Sequence, residues 1–194
     1  ARRHAGKAAG PPKGGGRRDI RASPREDPIR KGIQAGLLSL ALVIIVMVVY
    51  YKFSGFLAVV GLMFYALTTL AFLAQMDAVL TLPGIAGFIL SIGMAVDANF
   101  LQFERIREEL DRGLTVRTAI DEGFKNSFSA ILDTHATTAL TAIVLYQFGT
   151  GPVQGFAVTL LAGVVSSMLS SVFVVRTLFL LWLQRNRTTQ TVSI

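Results

Sequence analysis

The chain has 194 residues, 52% of them hydrophobic, with a mean hydropathy of +0.55 and a formal net charge of +7. That is too apolar for an ordinary soluble domain and typical of a multi-span membrane protein. The absence of cysteine excludes disulfides and thiolate metal centres, and ten of the nineteen Lys and Arg residues fall in the first 31 positions, so the net charge describes a tail more than a body.

Residues 1–28 are rich in Gly, Pro, Ala and Arg and nearly devoid of large apolar side chains. Such a segment buries too little surface to offset backbone entropy, so a disordered basic arm or linker is expected. Its arginines have no helical spacing and no interleaved aromatics, which favours a linker over an arm that binds lipid or RNA. The sequence starts ARRHAGK, without methionine or a signal-peptide pattern, and reads as a piece of something longer.

From Ile33 the chain is almost wholly apolar to Tyr50, giving a first span over 33–51 that ends at Tyr50-Tyr51-Lys52, with the tyrosines at headgroup level. Phe53-Ser54-Gly55 reads as a tight turn into a second span, 56–76. A short connection follows, and Pro83 or Gly84 opens a third span over 83–103, proline being tolerated in a first helical turn. Residues 104–126 are polar. Glu104–Arg107, Glu108–Arg112 and Arg105–Glu109 have helical ion-pair spacing, Gly113 breaks the helix, and Thr115 caps a second one whose apolar side is Val116, Ala119, Ile120 and Phe124. This amphipathic pair is expected to lie along the membrane surface. A fourth span covers 127–148, Gly149-Thr150-Gly151-Pro152 turns the chain, and a fifth covers 155–183 before the tail 186–194. The expected fold is all-α: a five-helix transmembrane bundle over 29–185, with an amphipathic helix between spans three and four.

The loops orient the bundle. Residues 104–126 hold Arg105, Arg107, Arg112, Arg117 and Lys125, the C-terminal tail holds Arg185 and Arg187, and the connections on the other side hold no Lys or Arg. The positive-inside rule places 104–126 and the C-terminus in the cytoplasm, in a plasma (inner) membrane, and with five spans the N-terminal arm is outside.

Asp97 stands inside the third span, about 10 Å from its cytoplasmic end at 1.5 Å per residue. A charge there costs about 2.5–3.5 kcal/mol even on the lenient insertion scale, so it reads as a proton-titrating group whose protonation changes helix packing. Asp133 enters the fourth span from the same side at similar depth and is the second candidate. Gly93, one turn before Asp97, leaves space beside the carboxylate. Asn99 extends a ridge of small residues, Gly87, Ser91 and Ala95, matched in the fifth span by Thr159, Gly163, Ser167 and Ser171. Thr137 and Thr138 supply hydroxyls near the site. His135 lies about 200° round from Asp133 at 100° per residue and reads as a hydrogen-bonded packing residue rather than a relay member. No phosphate loop, HExxH or GxSxG occurs, so no catalytic residue, metal or cofactor is assigned, and the chain does not read as an enzyme.

The stretch GMAVDANFLQFERIREEL, residues 93–110, resembles the signature of the SecD family of protein-export membrane subunits. SFSAILDTHATT (127–138), FGTGPVQGFAVTLLAGVVSSM (148–168) and IRKGIQAGL (29–37) resemble three further stretches of it. The resemblance implies a bundle of the resistance-nodulation-division type in which the proton-motive force acts with SecF beside the SecYEG channel on a preprotein. It implies YajC as a further candidate partner, contact with membrane lipids and no nucleic acid. Asp97 then matches the family's membrane acid, and the rest of the relay lies on SecF. Phe100 and Gln102 stand where smaller or aliphatic residues are usual, and His135 stands for a usual asparagine. The alternative is a segment of a resistance-nodulation-division transporter that exports small molecules or lipids.

Overall fold

The computed structural model of the chain describes residues 26–76 and 81–185. Most of the expected basic arm, residues 77–80 after the second span, and the tail 186–194 lie outside them. The described elements are α1 (Glu26–Gln75), α2 (Leu82–Asp111), α3 (Val116–Phe148), α4 (Pro152–Leu169), a π-helical segment (Ser170–Val175) and α5 (Arg176–Arg185). α1 thus begins inside the stretch read as disordered. The last three elements run on without a break, so four helical runs are long and apolar enough to cross a membrane: Pro28–Gln75, Leu82–Asp111, Val116–Phe148 and Pro152–Arg185. Their outer faces expose Leu38, Leu42, Val49, Leu67, Leu140 and Phe148. An apolar surface of that extent is a liability in water and the normal exterior of a protein in a bilayer. This is a multi-pass membrane protein.

α1 is not one rod. Lys52 leaves helical geometry with φ 47° and ψ −109°, and the chain doubles back there. Gly55 lies directly on the backbone of Met47 and Val48, so that a Cβ would strike the Met47 carbonyl. In a continuous helix, residues eight apart are separated by about 12 Å along the axis. Contacts with α2 show the same reversal: Gly36 meets Ile89 and Tyr51 meets Glu104, whereas Tyr65 meets Ser91. The first limb therefore runs parallel to α2 and the second antiparallel. The sequence places this turn at Phe53-Ser54-Gly55. It lies just before, at Lys52, and Gly55 serves close approach of the limbs.

The polar stretch 104–126 also differs from expectation. It is not a separate surface helix pair. α2 continues unbroken to Asp111, α3 starts at Val116, and only 112–115 separate them. Gly113 (φ 89°) makes the break, and the Thr115 side chain caps α3 by accepting from the Thr118 N–H. The helices persist because their apolar stripe continues the core of the bundle. Phe103, Ile106, Ile120, Phe124 and Phe179 are buried together with Met47, Tyr51 and Leu57 of α1. Glu109, 5% exposed, ties the junction by accepting from Arg112 at 2.9 Å and from Asn126 at 3.1 Å.

In the other half the packing is through small residues. Gly84 faces Thr159, Gly87 faces the Phe156 carbonyl, and Gly163 faces Ser91. The two small-residue ridges of α2 and α4 are therefore pressed against each other. The π-helical segment sits beside them: Ser170 donates to the Gly61 carbonyl, and Gln102 Nε2 donates to the Ser171 carbonyl. Such a widened turn frees local backbone groups, and side chains from neighbouring helices meet them here.

Candidate functional site

The buried stripe of α2 is Gly84, Gly87, Ser91, Ala95, Ala98, Asn99, Gln102, Phe103, Ile106 and Glu109. That period fixes the direction of everything else on the helix. Asp97 falls outside the stripe and is exposed on the outward face of α2, flanked by the exposed Leu90 and Phe100. Gly93 lies on the same face, and a Cβ added to it would meet nothing within 4 Å. Gly93 therefore borders open space and packs against no described helix.

Asp133 is likewise exposed on α3. Among the described residues no hydrogen bond or ion pair engages the side chain of Asp97 or Asp133, and none joins the two. Arg176, in the last run, faces Asp121 at 3.8 Å, near the α2–α3 junction, and not Asp97. Thr137 and Thr138 do not reach across to α2. Each donates to a carbonyl of its own helix, Thr137 to Asp133 at 2.8 Å and Thr138 to Thr134 at 2.9 Å. Asn99 does pack: it is 2% exposed against Val43, Met47 and Leu62, and its Oδ1 has no partner.

One group is better connected than its sequence suggests. His135 is 4% exposed and bonded at both ring nitrogens: Nδ1 lies 2.8 Å from the Ile131 carbonyl, and Nε2 lies 2.7 Å from Ser167 Oγ on α4. His135 and Asp133 leave α3 on different sides, and His135 turns toward Ser167 of α4. The buried stripe Ser127, Ile131, His135 and Ala142 carries that information in the sequence.

Comparison with known proteins bears on what this arrangement is for. Residues 23–185 match the family described as "Protein export membrane protein SecD/SecF, C-terminal". The chain belongs to the SecD/SecF family. It is 52% identical over 163 residues to the protein translocase subunit SecD of Calditerrivibrio nitroreducens, covering 84% of this chain and 32% of that one. It is 48% identical over 159 residues to the SecD of Pseudomonas aeruginosa, covering 82% of this chain and 26% of that one. The crystal structure of SecDF from Thermus thermophilus, described as a translocon-associated membrane protein, is similar with a TM-score of 0.80 at 41% identity, over 86% of this chain and 23% of that one. The chain thus spans about a third or less of the length of these relatives.

Proposed function

We propose that this chain is the membrane bundle of a protein-translocase subunit in which Asp97 takes up and releases protons as the proton-motive force drives export. The observation that carries this reading is the isolation of Asp97: an acid on the outward face of α2, between Leu90 and Phe100, with no ion-pair partner among the described residues. An unpaired carboxylate at that depth is costly as an anion and tolerable when protonated. Its open face and the gap at Gly93 suit a helix from another chain that brings the counter-charge. SecF is the partner this reading requires, with SecYEG as the channel, a preprotein as the substrate and YajC as a further candidate. Asp133 serves as a secondary acid at similar depth.

The membrane topology belongs to the same reading. Both limbs of α1 cross the bilayer, which gives five spans over 33–51, 56–76, 83–103, 127–148 and 155–183. The 104–126 connection and the C-terminus are then cytoplasmic, the N-terminal arm is outside, and the membrane is the inner membrane. A second reading, export of small molecules or lipids, draws on an apolar groove of about 340 Å³ lined by Phe72, Met76, Ile143, Tyr146, Leu161 and Val165. Recovery of SecF and SecYEG with the purified full-length subunit would favour the first.

The test is Asp97→Asn in the full-length subunit. Export stimulated by the proton-motive force is lost while SecF still co-purifies. Wild-type export with this variant would contradict the proposal.

A further inference from the structure

A cleft of about 410 Å³ lies between α2, α3 and the π-helical segment, and the reading above gives it no role. Its mouth is charged, lined by Asp121, Glu122 and Lys125 of α3 and by Arg176 of α5. The ion pairs there are loose. Arg176 stands 3.8 Å from Asp121 and Lys125 stands 3.6 Å from Glu122, and all four side chains are at least 40% exposed. Arg176 falls within the stretch 155–183 read as the fifth span, where a cation is costly unless its head reaches water.

Gln102 and Val172 line the deeper part of the same cleft. Gln102 is 1% exposed, and its Nε2 donates to the Ser171 carbonyl at 3.3 Å. Its Oε1 is a buried acceptor with no partner among the described residues, and the neighbouring Ser171 hydroxyl is in the same position. Leaving such groups unmet is costly. Val172 belongs to the π-helical segment Ser170–Val175. At membrane depth, backbone that departs from the α-helix persists where protein covers it or where it lines water. A lipid tail could meet neither Gln102 nor Ser171. Water could meet both, and a polar cleft with several partners, far larger than the ~30 Å³ share of one water in the liquid, is where water is held.

We propose that this cleft is an aqueous inlet, open at the charged end of the bundle, that brings water to Gln102 and the π-helical turn. Neither Asp97 nor Gly93 lines it, so it is separate from the acid of the outward face. The side to which it opens rests on the topology given above, with 104–126 in the cytoplasm. Val172 then stands about 16 Å inside the cytoplasmic end of the fifth span, at 1.5 Å per residue.

The test is thiol labelling of the full-length subunit, free of other cysteines, in membranes holding the rest of the translocase. Val172→Cys places a thiol in the cleft. Phe173→Cys places one at nearly the same depth on the outer surface, where Phe173 is 63% exposed. A thiol reacts as its thiolate, and each unit by which an apolar setting raises its pKa slows it about tenfold. With a small impermeant reagent on the cytoplasmic side, position 172 is therefore expected to react at least about tenfold faster than position 173. Gly113→Cys, in the α2–α3 turn, reports the orientation. Labelling at 113 with position 172 no faster than 173 overturns the inlet and leaves the topology standing. Labelling of both 113 and 172 from the opposite side supports the inlet and reverses the topology.

Discussion

Lys52 shows how far a single residue can depart from its local preference when the fold requires it. Its φ of 47° lies where side chains are strained, at a cost of about 1–3 kcal/mol. The conformation persists because the limbs on either side are locked to α2. Tyr51 donates to Glu104 at 2.8 Å, and Arg107 donates to Tyr50 at 3.2 Å with its guanidinium over the ring. Lys52→Gly removes the strain without touching these contacts. It is expected to raise the stability of the purified subunit by about 1 kcal/mol in thermal unfolding, whereas an unchanged or lowered midpoint would contradict a strained turn. At this scale the sequence was legible in part. The break at Gly113 and the cap at Thr115 follow from residue type and spacing. The Glu104–Arg107 pair does not form, because the tyrosines of the α1 turn compete for both partners, and no local spacing encodes that. The bond between His135 and Ser167 is hidden for the same reason: it joins two helices, and helical periodicity describes only one at a time.

Among the elements, α2 and α4 matter most. Their stripes of small residues, read from four-residue spacing, meet face to face, and the closest approach is Gly163 against Ser91 and the Tyr65 hydroxyl. Any side chain at 163 must push the short, hydrogen-bonded Ser91 aside, so Gly163→Val is expected to destabilise the bundle by about 1–3 kcal/mol. A variant that unfolds at the wild-type temperature would show that the helices do not touch there. Two features of the elements were not legible. The helices run on through the polar stretch 104–126 because Ile106, Ile120 and Phe124 extend the core beneath a charged surface, and composition shows only the charges. The π-helical turn at Ser170–Val175 has no Gly or Pro to announce it. It is positioned by partners distant in sequence, Gly61 and Gln102.

For the molecule as a whole, the limb directions make a topological prediction. Lys52 and the 112–115 turn lie at one end, where Tyr51 meets Glu104. The α3–α4 turn lies at the other, where Gly155 packs on Thr81. The chain has no cysteine, so single substitutions Lys52→Cys, Gly113→Cys and Thr150→Cys in the subunit report cleanly. The first two are expected to react with an impermeant thiol reagent from the cytoplasmic side and the third from the opposite side. Labelling of positions 52 and 113 from opposite sides would mean that the limbs of α1 do not both cross the membrane. The all-helical bundle was the most legible feature of the sequence, since long apolar runs leave little choice. The sequence was silent on why so much of α3 and the Asp97 face stays uncovered. The chain covers 23% of the SecDF structure it resembles.

The proposed role of Asp97 in moving protons is best checked by comparing wild type, Asp97→Glu and Asp97→Asn in membranes holding the full translocase, with export measured with and without an imposed proton-motive force. Stimulation by the gradient is expected to be lost with asparagine and kept at least partly with glutamate, which still titrates. Equal stimulation in all three would contradict it.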